Sequence, residues 1–518
     1  LPLTPNGKLN RKALPKPDWS ALTGDDRPAT PREQVIADLF AGILELPSVG
    51  VHDDFFALGG HSMSSMRLVG QVRSALGVEL SIRDVFDSPT VAGLAARLDG
   101  ASDARPPLVP GARPAVLPLA PPQRWQWERG RANDHALSLR SADGFDADAL
   151  ARAWADVVER HEPLRTAHSA TEQRSGSAPA LVLDPVTADL DARLAELARA
   201  NGFPLQATLV TDRSGAQAFL LTAHYLVLDE WSVVPLFRDL TAAYTARLAG
   251  RAPTWTPLPV TYADYTTWAG DWLDTAAAPQ LDYWRTVLRG APVDLALPFD
   301  RPRPAQPSGA ADIVGFALDP VLHQGIDRLA RETGTSLFMV VQAALAVLLT
   351  RHGAGEDLPI GTLVAGRGEE VLADLVGCFF NTVLLRTDTA GDPSFTELLA
   401  RIRETDLSAF DRQDVPFADV LAAGAPRPSV MLVHHERARA EVLEGGIGEF
   451  DAVPITTTDV DLTFSLYEPQ GDGPVPCELI YATDLFDRET VEGLAAEVVE
   501  VLAAAITNPS AAIERTES

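Results

Sequence analysis

Residues 53 to 62 read Asp-Asp-Phe-Phe-Ala-Leu-Gly-Gly-His-Ser and deliver one serine, Ser62, to the start of an apolar-periodic stretch. Met63, Met66, Val69 and Val72 recur at helical spacing while Ser64, Ser65, Arg67 and Gln71 fill the other face. The spacing therefore predicts an amphipathic helix with Ser62 exposed near its N-terminus. Free backbone N–H groups and the positive end of the helix dipole attract phosphate at such a terminus. The plainer use of Ser62 would be as an N-cap. A second set, His434 and His435, offers imidazole as a base or a metal ligand. Neighbours in a strand point to opposite faces, so the two cannot serve one site and are expected at the surface. Cys378 and Cys477 are the only cysteines and lie in apolar or strand-like segments. They imply neither a disulfide framework nor a zinc site, and a reducing cytoplasm suits them.

The elements that must position these groups spread over several folding units. At 518 residues the chain is too long for one core, and domain sizes suggest roughly three. A net charge of −28 argues against nucleic acid or an anionic membrane as a partner, because the summed field repels phosphate. No signal-peptide pattern opens the chain and no apolar run reaches the length of a membrane span. The chain starts at Leu1 and reads as beginning mid-protein. Helical periodicity marks a compact all-α unit from Thr30 to Leu98, with apolar repeats in Val35 to Leu44, Met63 to Leu76 and Val91 to Leu98. Residues 99 to 115, rich in Ala, Pro, Gly and Arg, have the composition of a semi-extended, mobile linker. From Pro118 onward strand-like and helical segments alternate, enough for two lobes of mixed α/β type. The proline-rich stretch 296 to 312, with its Pro-Ser-Gly turn, is the expected boundary between them.

The string Asp53 to Ser62 resembles the phosphopantetheine attachment site of the peptidyl carrier proteins of nonribosomal peptide synthetases. The resemblance implies that Ser62 carries 4′-phosphopantetheine, whose thiol holds an acyl or peptidyl thioester. A phosphopantetheinyl transferase would install it, with Gly59 and Gly60 leaving room for its approach. Residues 1 to 15 resemble the last motif of an adenylation domain, in which Lys8 would contact the acyl-adenylate, and so imply an upstream adenylation domain. The divisions expected are an adenylation stub and linker at 1–27, the carrier at 28–98, a linker at 99–115, and lobes at 116–295 and 296–518.

Five strings in the large region resemble condensation domains of the same synthetases, in the family's order. They are Leu119-Ala-Pro-Pro-Gln-Arg-Trp-Gln-Trp127, then Arg160-His-Glu-Pro-Leu-Arg-Thr166, then Tyr262-Ala-Asp-Tyr-Thr-Thr-Trp268 with Leu281-Asp-Tyr-Trp-Arg285. Val376-Gly-Cys-Phe-Phe-Asn-Thr382, running on to Arg386, and Arg412-Gln-Asp-Val-Pro-Phe417 complete the set. The resemblance implies a multidomain chain: a small helical-bundle carrier, then a two-lobed α/β fold like chloramphenicol acetyltransferase, with a tunnel between the lobes. Asp459 to Phe464 resembles the segment that crosses between lobes and floors that tunnel.

The family's central motif is His-His-x-x-x-Asp-Gly, and the matching stretch here is His224-Tyr-Leu-Val-Leu-Asp-Glu230. The candidate site is therefore His224, Tyr225, Asp229 and Glu230. By this likeness His224 is the structural, buried histidine, and Tyr225 stands where a second histidine sits beside the attacking amine. A phenol with pKa about 10 is a poor base at neutral pH against about 6.5 for imidazole, though it can position by hydrogen bonding. Asp229 is expected to pair with an arginine, the candidates being Arg367, Arg386 and Arg165. Glu230 replaces glycine; a carboxylate suits a first helical turn, can hold an ammonium group and favour a small acceptor such as glycine, or can close the channel.

Two uses follow. In the first, the carrier's acyl or peptidyl chain passes to the amine on a downstream acceptor carrier, forming a peptide bond in siderophore or antibiotic biosynthesis; aminolysis of a thioester survives loss of a base at reduced rate because orientation of two tethered substrates supplies much of the acceleration. In the second, the large domain is a non-catalytic relative of the X domains of glycopeptide synthetases, which likewise replace the second histidine and carry an acid in place of glycine and which recruit cytochrome P450 enzymes to the carrier-bound peptide.

Overall fold

The structure is a computed structural model that describes residues 24, 26–130, 135–141, 144–177, 179–199, 204–435, 448–453, 457–469 and 473–513, without the side chains of Met63, Glu449, Asp451 and Ala452. Lys8 and the adenylation-like segment around it lie outside the described residues. The chain divides into two compact units, Leu1–Ala104 and Arg105–Ser518.

The first unit is a bundle of α1 (Pro31–Ile43), α2 (Ser62–Leu76), α3 (Ile82–Asp87) and α4 (Val91–Arg97). Thr30 and Glu33 cap α1 reciprocally: Glu33 N–H donates to Thr30 Oγ1 at 3.2 Å and Thr30 N–H to Glu33 Oε2 at 2.9 Å. Ile36, Phe40, Phe55, Leu68, Val72, Val85, Val91 and Leu94 form the buried centre. Four helices stand where apolar repeats indicated three, because the six residues of α3 are too few to show a period.

The span 99 to 115 is not a free linker. Its first part is hydrogen-bonded within the small unit, through Glu79 N–H to Ser102 O at 2.9 Å and Ala104 N–H to Gly77 O at 3.1 Å. Its second part is bound within the large unit, where Arg105 pairs with Asp414 at 3.1 Å and Trp268 Nε1 donates to Pro106 O at 2.7 Å. Leu108 is 5% exposed among Tyr262, Tyr265 and Phe379. An alanine- and proline-rich composition could not reveal these anchors, which come from residues far along the chain.

The large unit's strands are β1 (Leu117–Pro118), β2 (His135–Ser141), β3 (Thr166–His168), β4 (Glu172–Ser175), β5 (Leu181–Leu183), β6 (Leu205–Thr211) and β7 (Gln217–Ala223), then β8 (Ala311–Leu318), β9 (Asp357–Val364), β10 (Asn381–Asp388), β11 (Val430–His435), β12 (Glu449–Ala452), β13 (Leu462–Tyr467) and β14 (Val475–Ala482). They form sheets in the orders β1-β4-β3, β12-β2-β7-β6-β5 and β10-β9-β11-β13-β14-β8. Helices α5 (Pro121–Arg129), α6 (Ala147–Arg160), α7 (Leu190–Arg199), α8 (Val233–Leu248) and α9 (Tyr262–Val287) accompany the first two sheets. Helices α10 (Pro320–Thr333), α11 (Leu337–Arg351), α12 (Phe395–Phe410), α13 (Phe417–Ala422) and α14 (Arg488–Thr507) accompany the third.

Period-two alternation sets the five-stranded sheet between two apolar layers. Leu137, Leu139, Phe219 and Leu221 pack on Trp154 and Val157 of α6 and Leu236 and Phe237 of α8. Ala136, Ala218 and Leu220 face Leu194 and Ala198 of α7. In the six-stranded sheet β11 is interior and parallel to β13, with His434 opposite Leu466 and His435 opposite Tyr467.

The strand that crosses between the sheets is β12, which pairs antiparallel with β2, Phe450 opposite Leu139. Asp459 to Phe464 lead into β13 at the middle of the six-stranded sheet, with Asp459 reaching Arg129 of the first part of the large unit at 2.7 Å. The two sheets are therefore not separated by one cut near 296 to 312, since a strand from beyond that boundary completes the first sheet.

Candidate functional site

In the small unit the helix begins where the spacing placed it, but its first residue is more enclosed than expected. His61 occupies the N-cap position and Ser62 is the first helical residue, 9% exposed. The neighbouring hydroxyls are engaged at the cap: His61 N–H donates to Ser64 Oγ at 2.7 Å and Ser65 Oγ donates to His61 O at 2.9 Å. Among the described residues Ser62 Oγ has no hydrogen-bond partner. A hydroxyl at a helix N-terminus that neither caps nor bonds is chemically uncommitted, and a phosphodiester there would meet the N–H groups of the first turn. The glycines before it serve the fold. Gly59 has φ +103°, and a Cβ on Gly60 would overlap the Phe55 ring.

In the large unit, β7 ends at Ala223 and runs into a loop that reaches a short helical turn at Glu230–Ser232. Five of the seven residues from His224 to Glu230 are buried; Tyr225 and Glu230 remain partly accessible. His224 Nδ1 accepts from Leu226 N–H at 3.0 Å, which leaves the ring proton on Nε2. Gln123, on α5, donates through Nε2 to Leu226 O at 2.7 Å and lies 3.1 Å from His168 Nε2. Burial, and then the nearness of His224, push His168 down to about 4, so it is neutral at physiological pH.

Asp229 is completely buried and fastens the loop. Its Oδ1 accepts from Ser232 N–H at 2.9 Å, Ser232 Oγ at 2.7 Å and Arg367 Nη2 at 3.0 Å, and its Oδ2 accepts from Phe379 N–H at 3.0 Å. Of the three candidate arginines it is Arg367 that pairs with it; Arg386 binds Asp357 at 2.6 Å and Arg165 lies 3.7 Å from Glu159. Arg367 also donates to Leu372 O at 2.6 Å and Leu375 O at 2.8 Å. The aspartate thus ties the loop to Arg367, Ser232 and the Phe379 amide.

Tyr225 packs edge-on to His135, with ring centroids 4.7 Å apart, and against Phe380 at 4.6 Å. The Arg129 guanidinium lies 5.7 Å from its ring centroid and is held by Asp459 at 2.7 Å. Glu230 reaches across to the six-stranded sheet. Its Oε1 lies 2.7 Å from His435 Nδ1, and His435 Nε2 lies 3.2 Å from Ser465 Oγ. The His435 ring stacks on Tyr467 at 4.6 Å. His435 was expected at the surface and is instead half-buried in this network. Its partner lies 205 residues away, so no local pattern pointed to it.

The other expected strings brace this site. Arg160 and His161 meet Asp239 at 2.7 and 3.0 Å, and burial lowers the His161 pKa despite that carboxylate. Tyr262 donates to Cys378 O at 2.7 Å, and Asn381 Nδ2 donates to Val415 O at 2.6 Å. Among the described residues no cluster of His, Cys, Asp and Glu could hold a metal ion. None of the described helices is by itself long and apolar enough to cross a membrane.

The condensation-domain family model matches residues 115–518, and the phosphopantetheine attachment site model matches residues 34–98. The chain belongs to the condensation-domain family. Its attachment-site domain makes 4′-phosphopantetheine the covalent cofactor, and the uncommitted Ser62 hydroxyl fits that group. The condensation domain and its carrier together are 42% identical to a dimodular nonribosomal peptide synthase of Bacillus subtilis over 98% of this chain and 23% of that protein. They are 34% identical to one of the linear gramicidin synthase subunits of Brevibacillus parabrevis over 99% of this chain and 11% of that protein. The chain thus spans about a quarter or less of these relatives' length. Among solved structures, the X-domain from teicoplanin biosynthesis matches with TM-score 0.72 and 33% identity, covering 80% of this chain and all of that one. The same domain in complex with OxyB matches at 0.69 and 33%, over 79% of this chain and 97% of that one. The first condensation domain of the calcium-dependent antibiotic synthetase shares the fold, at TM-score 0.62 and 18% identity over 78% of this chain and 99% of that one.

Proposed function

We propose that the condensation domain transfers an acyl or peptidyl chain from the pantetheine thiol on Ser62 to the amine of an aminoacyl thioester on a downstream carrier. The observation that carries this reading is the intact clamp under the motif loop: Asp229, Ser232 and Arg367 fix it in place, and the loop leaves Tyr225 and Glu230 accessible. Positioning of two tethered substrates supplies most of the acceleration in such a reaction, so a loop held this firmly serves it without an imidazole at 225. Similarity to peptide synthetases runs through carrier and condensation domain alike. The working partners are an upstream adenylation domain, the downstream carrier and a phosphopantetheinyl transferase, and the setting is cytoplasmic secondary metabolism such as antibiotic biosynthesis, which the free thiols Cys378 and Cys477 suit.

A second reading is favoured by one comparison. The X-domain of teicoplanin biosynthesis has been seen in complex with OxyB, and recruitment of a cytochrome P450 to the carrier-bound peptide would need no base at Tyr225. One assay separates the two. The carrier is loaded with a short peptidyl-pantetheine, a downstream carrier charged with glycine is added, and both are followed by intact mass beside the Tyr225→His and Ser62→Ala variants. Ser62→Ala should accept no pantetheine. Transfer by the wild type or only by Tyr225→His establishes condensation; none by either, across several acceptors, rejects it in favour of P450 recruitment.

A further inference from the structure

We propose that Glu230 and His435 together form the base for this condensation, replacing the imidazole that Tyr225 displaces; the proposal rests on the condensation reading. Glu230 and His435 lie 2.7 Å apart with side chains 14% and 16% exposed, close enough to share a proton and open enough to meet a substrate. Glu230 is one of two partly accessible residues on the motif loop, five positions from Tyr225, and the neighbouring Asp229 anchors it. His435 is held from behind: Ser465 meets Nε2 at 3.2 Å and Tyr467 covers one ring face. Ser465 is a positioning residue, since its side chain is buried and meets the imidazole from the side away from Glu230.

The step balances on the pair alone. The acceptor amine donates an N–H to Glu230 while its nitrogen lone pair attacks the thioester carbonyl carbon. As the C–N bond forms, the N–H bond breaks and the proton passes to the carboxylate–imidazole pair, whose net charge rises from −1 to 0. The C–S bond then breaks with its electron pair on sulfur, and the pantetheine thiolate takes the proton back. Neither redox partner nor metal enters. Among the described residues the titratable groups near the pair are Tyr467, whose hydroxyl donates to Glu478 at 2.7 Å, Glu478 itself, and the Arg129–Asp459 pair beside Tyr225; His434, next on β11, starts from the opposite strand face.

The test is single-turnover transfer from the loaded chain to a glycyl carrier, measured from pH 6 to 9 at saturating and subsaturating acceptor. His435→Gln keeps a hydrogen bond to Glu230 without a basic nitrogen, and Glu230→Gln removes the carboxylate. Each is expected to lower the saturated rate by about 10² to 10⁴-fold, to change half-saturation little, and to flatten the rise of rate with pH. Adding Tyr225→His to His435→Gln should recover at least about tenfold of the loss, because it restores an imidazole in the family's position. Should either single variant melt early, the other and the rescue decide. Wild-type transfer with unchanged rate and pH profile in both single variants would overturn the base while leaving condensation standing. Absence of transfer by wild type and Tyr225→His alike would overturn the condensation reading and this proposal with it.

Discussion

Asp229 is completely buried, and Arg367, Ser232 and the Phe379 amide all converge on its carboxylate oxygens. Asp229→Ala would leave the Arg367 charge buried without its carboxylate, with only the Leu372 and Leu375 carbonyls and Ser232 Oγ to accept from it, and the large unit should lose about 3 to 5 kcal/mol in urea denaturation. A loss under about 1 kcal/mol would mean that the guanidinium finds water instead. That the aspartate pairs with an arginine was legible in the motif, but the choice among three arginines was not, because it depends on which one the fold brings to within 3.0 Å. His435 shows the limit more sharply. A strand's alternation correctly sends adjacent histidines to opposite faces, yet what faces either of them is set by an element on the other sheet. Ser62 was legible as a position and misjudged in exposure, since the burial of its hydroxyl arises from packing that no single helix displays.

At the scale of elements, α11, α12 and β10 enclose a carboxyl whose charged form burial disfavours. Asp406 is fully buried, and Gln342 Nε2 donates to its Oδ1 and to Thr387 Oγ1, both at 3.1 Å. Burial pushes the Asp406 carboxyl well above the usual carboxylate range, against the Gln342 hydrogen bond that lowers it. Among the described residues Asp406 Oδ2 and Gln342 Oε1 are both buried acceptors without a partner, and a retained proton would supply the donor this pair lacks. An acid raised on folding must take up a proton to fold above its unfolded pKa, near 3.9. Its stability is therefore fully present below that value and declines as pH rises toward the folded pKa. Asp406→Asn provides a permanent donor, so its melting temperature should gain on the wild type steadily from pH 4 to pH 8; a parallel course would show Asp406 to be ionised. The segment 105 to 111 makes a second test. Leu108 fills the apolar cluster with Tyr262 and Phe379, the residue whose amide binds Asp229. Leu108→Ala should cost about 2 to 5 kcal/mol, read by denaturant titration, and a cost near zero would restore this stretch to the status of a linker. Composition spoke for a linker because Pro and Ala are common to linkers and to extended segments laid on a core; only the tertiary partners tell them apart.

For the whole molecule, alternation of strand and helix announced two lobes of mixed α/β type, but not which strands join which of the three sheets, because pairing across hundreds of residues leaves no local trace. Strand β12 comes from the second half of the chain and completes the sheet of the first, with Phe450 against Phe237 at 5.4 Å and Val453 N–H donating to Ala136 O at 2.8 Å. A fragment of residues 105 to 312 should therefore expose β2 as an open edge and associate, visible by light scattering after size exclusion, and appending residues 448 to 453 should return it to a monomer. If the short fragment is monomeric without them, the strand is dispensable to that sheet. The same topology bears on how such enzymes can be recombined. A donor half and an acceptor half exchanged between two synthetases at one seam would clothe one parent's sheet with the other parent's border strand, so inheritance of function by shuffling requires a second crossover that keeps this short ribbon with the sheet it was selected to finish.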